Sequence, residues 1–239
     1  MSLNGTRVVI VGGTSGIGLA TAHAAVDAGA EVVIASSRQA SVDAALGELS
    51  ATTTGRALDV LDSAAVQRFF AEVGAFDHLV YTAGESLRLL PIDGLYIDEA
   101  RSFFQVRYFG ALNAVSAAAP HIHPGGSVTL TSGSARTRPG AGWAVASSLC
   151  GAITSLAGAL ALELAPIRVN VVEPGIVRSP LWSGMSAQDQ EAMYRQQAEL
   201  LPAGRVGEVD DVAQAFLYSM TQSFTTGTSI PVDGGALLV

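Results

Sequence analysis

The sequence predicts one α/β domain: a doubly wound parallel sheet of about seven strands with helices on both faces. Three observations lead there. Short apolar, β-branched runs alternate with longer alanine-rich stretches of helical period, as in strands that helices cover on both sides. A glycine-rich turn joins the first such run to the first helical stretch. No internal repeat, charge block or Pro/Gly/Ser linker divides residues 1–239, so the chain reads as a single unit.

In chain order, Arg7–Val11 is a β-branched run that stops at a glycine, and a helix is expected from Ser15. Glu31–Ser36 is the second strand, with a helix from Ser41. Gly55–Leu58 is the third, with a helix from Ser63. His78–Thr82 and Ser127–Thr131 follow, separated by a helix beginning near Asp98. A helix from Trp143 then leads to the strand Arg168–Val172, and a helix from Asp210 to the closing strand Ser229–Val232. Val177–Pro202 breaks this rhythm. It is long, holds Pro180 and Pro202, and carries its own polar helix around Gln188–Leu200, which suggests a lid.

Composition narrows the functional classes. The chain has 239 residues, 49% of them hydrophobic and 14% charged, with a net charge of −8. That charge argues against a nucleic-acid partner. The lone Cys150 cannot form an internal disulfide, which fits a reducing, cytoplasmic setting. All 13 basic residues are arginine. Schiff-base chemistry, a phosphate-binding loop lysine and a lysine that tunes a neighbour's pKa are therefore absent. Met1–Ile10 lacks the apolar core of a secretion signal. The uncharged stretch Pro139–Leu162 is long enough to span a bilayer, but its serines, threonine and glycines suit a helix packed between protein surfaces, so no membrane association is expected.

The first strand runs directly into Gly12-Gly13-Thr14-Ser15-Gly16-Ile17-Gly18. Free N–H groups at the start of the following helix make an anion site there. Gly12 permits the tight turn, Gly16 lets a pyrophosphate approach the backbone, and Gly18 allows close packing of helix on strand. The G-x-x-x-G-x-G spacing resembles the short-chain dehydrogenase/reductase family, with its Rossmann-like fold. The resemblance continues through Asp59-Val60 after the third strand and through Tyr81-Thr82-Ala83-Gly84. It extends to Arg168-Val169-Asn170 leading into Pro174-Gly175-Ile176-Val177, to Gly204-Arg205, and to Val232-Asp233-Gly234-Gly235. It implies a nicotinamide dinucleotide held by Gly12, Thr14, Ser15, Gly16, Ile17, Gly18, Asp59, Val60, Ala83, Gly84, Pro174, Gly175, Ile176 and Ser179.

The tip of the second strand, Ala35-Ser36-Ser37-Arg38, decides between cofactors. An acid there would bind the ribose 2′-hydroxyl of NAD and repel a 2′-phosphate, but none occurs between Glu31 and Asp43. Ser36, Ser37 and the Arg38 guanidinium suit the phosphate of NADP(H), although Arg38 also reads as a solvated surface residue.

The family's usual chemistry uses asparagine, serine, tyrosine and lysine. Ser132 stands at the serine position, and Arg107, in Val106-Arg107-Tyr108-Phe109-Gly110, stands at that of the asparagine. Counting back from Ala159-Leu160-Ala161-Leu162-Glu163 puts Ala146 at the tyrosine and Cys150 at the lysine. A slipped register would use Trp143 and Ser147. Neither restores the pair. Ser132 and Arg107 are the candidate catalytic residues. Tyr81 and Tyr108 read as packing residues. Arg136 and Arg138 either meet an anionic substrate or face solvent, and His121 with His123 reads as a turn rather than a metal pair. Two functions follow: an NADP(H)-dependent oxidoreductase with an altered site, or an NADP(H)-binding sensor or partner subunit without turnover. The small, uncharged helix from about Ala144 to Leu164 leaves a face over for self-association, as a dimer or tetramer.

Overall fold

The computed structural model describes residues 1–239. Its strands are β1 (Arg7–Val11), β2 (Glu31–Ser36), β3 (Thr54–Ala57), β4 (Phe76–Tyr81), β5 (Ile122–Thr131), β6 (Arg168–Pro174), β7 (Val177–Arg178), β8 (Gly207–Glu208) and β9 (Ser229–Val232). The helices are α1 (Gly16–Asp27), α2 (Gln39–Glu48), α3 (Ser63–Val73), α4 (Ile97–Phe104), α5 (Ala111–Ala118), α6 (Ala144–Glu163), α7 (Ala187–Leu200) and α8 (Val209–Thr221). Seven strands form one sheet in the order β3-β2-β1-β4-β5-β6-β9, parallel throughout. The expected doubly wound, Rossmann-like sheet is therefore present.

Strand pleating sorts the apolar runs into two cores, because successive side chains point to opposite faces. Val8 and Ile10 of β1 join Val32 and Ile34 of β2 in packing against Ala22 and Ala25 of α1 and Phe216 of α8. Val9 and Val11 face the other way, into a core with Phe69 and Phe70 of α3, Val115 of α5, and Leu149 and Ile153 of α6. Helix α6 is long and apolar enough to cross a membrane by length and composition. Here Val145, Ala146, Leu149, Ile153, Ala157 and Leu160 are buried against the sheet.

Three elements depart from the sequence expectation. The helix expected from Asp98 is divided: a π-helical segment, Gln105–Gly110, separates α4 from α5. The excursion after β6 contains a two-stranded parallel ribbon, β7 with β8, besides the expected polar helix, α7. Ile122 and His123, read as part of a turn, already belong to β5, with His123 Nδ1 3.0 Å from an Asp77 carboxylate oxygen. No group of three or more His, Cys, Asp or Glu has metal-holding geometry.

Candidate active site

Strand order reverses between β1 and β4, and their C-terminal ends open a cleft of about 720 Å³. Ligands of open parallel sheets bind at such a switch point. The β1–α1 turn forms one wall. Gly12 has φ of 94°, and a Cβ there would lie 2.5 Å from the Ala83 nitrogen. A Cβ on Gly18 would overlap the Gly12 carbonyl oxygen and the Thr82 hydroxyl. These contacts hold the turn and the Ala83-Gly84 segment at backbone distance. Helix α1 starts at Gly16 with no acid in its first turn, and the Ser15 side chain makes no cap hydrogen bond. The first-turn amides of Gly16, Ile17 and Gly18 are left for an anion, with the Thr14 and Ser15 side chains beside them.

Ser36, Ser37 and Arg38 line one end of the cleft, with Arg38 exposed at the start of α2. Asp59 and Val60 line the same end. An Asp59 oxygen accepts the Leu61 N–H at 2.9 Å, and the Val60 carbonyl accepts from Asn113 at 2.8 Å. Pro174, Gly175, Ile176 and Ser179 line the far wall, where the Gly175 N–H bonds the Val232 carbonyl at 3.0 Å. Gly16 sits under the excursion: a Cβ on it would lie 3.1 Å from Pro180. The glycine cradle, the free amides and the polar groups Ser36–Arg38 together fit a phosphorylated dinucleotide.

At the other end, Ser132 follows β5, and Ala146 and Cys150 face the cleft from consecutive turns of α6. Of the slipped register, Trp143 lines the cleft and Ser147 does not. The Ser132 hydroxyl donates to the Cys150 carbonyl at 2.9 Å. Arg107 projects from the π-helical segment, its side chain 15% exposed. Nη1 donates to a Glu85 carboxylate oxygen at 2.9 Å, Nη2 to the Glu85 carbonyl, and the guanidinium lies 4.6 Å from the Phe103 ring centroid. Burial pushes the Arg107 pKa down, and Glu85 opposes that shift. The Tyr81 hydroxyl donates to the Val106 carbonyl at 2.5 Å, and burial drives its pKa above the phenol range. Burial likewise raises the Cys150 thiol.

The remaining candidates lie outside the cleft. Tyr108 packs between Phe104 and Phe109, and Arg138 is exposed. Arg136 is exposed in part and pairs with Glu173 on β6. Glu173 is 1% exposed and escaped the sequence reading, though a carboxylate inside Val171-Val172-Glu173-Pro174 was a visible signal. Both tryptophans, Trp143 and Trp182, also line the cleft.

A parallel sheet with a glycine cradle and a free helix start at its switch point defines a dinucleotide-binding α/β protein. A family model for the SDR-like Rossmann domain matches residues 1–239, and the chain belongs to the short-chain dehydrogenase/reductase family of oxidoreductases. It is 37% identical to the short-chain dehydrogenase/reductase ucsE of Acremonium sp, over 97% of this chain and 95% of that one. A crystal structure of a small-chain dehydrogenase in complex with NADPH is 35% identical, with a TM-score of 0.83 over 98% of this chain and 99% of that chain. A short chain oxidoreductase from Pseudomonas aeruginosa PAO1, containing an atypical catalytic center, is 25% identical, with a TM-score of 0.90 over 99% and 98% of the two chains.

Proposed function

We propose that the chain is an NADP(H)-dependent oxidoreductase with an altered active site, acting on a small-molecule carbonyl or alcohol. The observation that carries the cofactor choice is the tip of β2, where Arg38 stands exposed beside Ser36 and Ser37 with no acid among them. The NADPH bound in a similar structure supports the same choice. When bound, the cofactor supplies a hydride. The chain's own residues hold its phosphates at the start of α1, its adenosine end at Ser36–Arg38, Asp59 and Val60, and its other end between Ala83-Gly84 and Pro174-Gly175-Ile176, with Ser179 nearby.

Ala146 and Cys150 take the places of the family's tyrosine and lysine, and Arg107 takes that of its asparagine. Arg107 restores a cation near the substrate but cannot shuttle protons. Ser132 remains to hold a substrate oxygen once its hydroxyl turns from the Cys150 carbonyl. That bond favours the second reading, a cofactor-binding protein without turnover, to the extent that the hydroxyl stays committed.

Residues 177–202 act as a lid in this reading. Their start lies over the phosphate turn, the Leu87 N–H bonds the Leu181 carbonyl at 2.8 Å, and the Ser86 and Ser183 hydroxyls lie 2.6 Å apart. Self-association as a dimer or tetramer uses the outer faces of α5 and α6, where Leu112 is 37% and Leu162 83% exposed.

The test is titration of the chain with NADPH and NADH, read by quenching of Trp143 and Trp182. Saturable quenching is expected at much lower NADPH than NADH, and no saturable quenching by either refutes the proposal.

A further inference from the structure

Hydride addition to an isolated carbonyl leaves an alkoxide, a strong base that needs a proton as it forms. The substrate end of the cleft offers poor sources for that proton. The Tyr81 hydroxyl is held on the Val106 carbonyl, and the Ser132 hydroxyl on that of Cys150. Glu85 accepts from Arg107, so it serves as an acceptor there. What the cleft does hold is the largely buried Arg107 guanidinium, whose Nη1 and Nη2 are engaged by Glu85 and whose Nε–H is left to donate. Around it the walls are apolar and partly aromatic: Leu87, Phe103, Trp143, Leu149, Leu181 and Trp182.

From this combination we infer that the substrate is an apolar conjugated ketone, reduced at its carbon–carbon double bond rather than at its carbonyl. The inference rests on the proposed NADP(H)-dependent function. The substrate gains hydride from the reduced nicotinamide at its β-carbon, forming a C–H bond. The π pair of the C=C bond moves into the C–C–O system and leaves an enolate oxyanion. That charge is delocalised, so it needs electrostatic stabilisation but no immediate proton. A preorganised guanidinium N–H, the Arg107 Nε–H held in place by Glu85, provides such stabilisation where the charge develops. Water then protonates the α-carbon, giving saturated ketone and oxidised cofactor. The stoichiometry is one substrate, one NADPH and one proton.

Benzylideneacetone and benzylacetone differ only in that double bond and carry the aromatic ring the cleft walls suit. With wild-type protein and NADPH, benzylideneacetone should be consumed faster than benzylacetone by about 10²-fold or more, the contribution of a missing acid. With NADPH deuterated at the transferable position, the label should appear on the β-carbon of benzylacetone as product. Both ketones should quench Trp143 and Trp182 saturably. Arg107→Leu should lower kcat for benzylideneacetone by about 10²-fold with a smaller change in the quench midpoint.

Label on the carbinol carbon, equal reduction of both ketones, reduction of neither, or failure of both to quench would each overturn the inference. NADPH quenching measured beforehand on each protein separates these outcomes from failure of the cofactor reading, and in Arg107→Leu it reports an intact fold.

Discussion

Arg136 and Glu173 form a two-pronged ion pair beside the cleft, with Nε 2.9 Å from one carboxylate oxygen and Nη2 3.2 Å from the other. The Ser229 and Thr154 hydroxyls each lie 2.9 Å from the first oxygen. The Thr154 hydroxyl is also 3.0 Å from the Cys150 carbonyl, which Ser132 already engages. With a single proton, the Thr154 hydroxyl donates to one of these two oxygens at a time. One carboxylate thus ties the turn after β5, helix α6, β6 and β9 together, immediately before Pro174-Gly175.

Removing one partner of a buried pair leaves a charge without compensation, whereas replacing both removes the desolvation cost as well. Glu173 is buried but the Arg136 side chain is 37% exposed, so Arg136→Leu should destabilise the protein by less than the about 3 kcal/mol of a fully buried pair. The double variant Arg136→Leu/Glu173→Met should lose less than the two single losses combined. Urea unfolding of the four proteins measures this cycle. Additive losses would mean that the two side chains act independently.

Cofactor discrimination should reside in Arg38. Its guanidinium is exposed beside Ser36 and Ser37, where charge-assisted bonds to a 2′-phosphate would form. Such bonds contribute about 1.5–3 kcal/mol, so Arg38→Asp should weaken NADPH binding by about 10- to 100-fold and NADH binding far less. Tryptophan quenching supplies both midpoints. Equal losses for the two cofactors would remove Arg38 from phosphate recognition.

Stability should fall on mild acidification because of His78. This imidazole is 6% exposed on β4, with Nδ1 2.9 Å from the Ser127 hydroxyl, and burial pushes its pKa from 6.5 to about 4. The folded value lies below the unfolded one, so the unfolded chain takes up the proton first. The contribution is complete above pH 6.5 and is lost as the pH falls towards 4, by about 3 kcal/mol in all. His78→Gln should flatten the stability profile across that window. A slope identical to wild type would assign the acid sensitivity to other groups.

Much of the fold was legible because periodicity reports burial. Val8-Val9-Ile10-Val11 and Val32-Val33-Ile34-Ala35 are apolar on both faces because both faces are covered, so β1 and β2 stand where the sequence puts them. The π-helical segment was hidden. Its sequence, Gln105–Gly110, keeps helical character, and the shift to wider winding is visible only with Tyr81 seated on the Val106 carbonyl. Glu173 was missed for a related reason. Its partners Arg136, Thr154 and Ser229 are distant in sequence, and only the folded chain brings them within hydrogen-bond reach. Ser132 and Arg107 were visible by position, but not the commitment of the one to Cys150 and of the other to Glu85.

Rebuilding the proton relay tests the altered site directly. Ala146 and Cys150 face the cleft from consecutive turns of α6, so Ala146→Tyr and Cys150→Lys would place a phenol and an ammonium side by side. The ammonium would lower the phenol's pKa. Cys150 feels both Arg107 and Arg136, however, and a lysine alone would meet their like charge. Arg107→Asn removes one of these cations and vacates space against Gly84, where the guanidinium now packs. The triple variant Arg107→Asn/Ala146→Tyr/Cys150→Lys should therefore reduce benzylacetone faster than wild type, by up to about 10²–10⁴. Each single substitution should do little, since members of a relay act as a unit. Adding Ser132→Ala to the triple variant should abolish most of the gain, because the rebuilt phenol needs a partner to hold the ketone oxygen. NADPH oxidation under one set of conditions compares all these proteins, with tryptophan quenching by NADPH confirming that each still binds cofactor. A cofactor-binding triple variant no faster than wild type would show that Ala146 and Cys150 do not stand where a relay can reach the substrate.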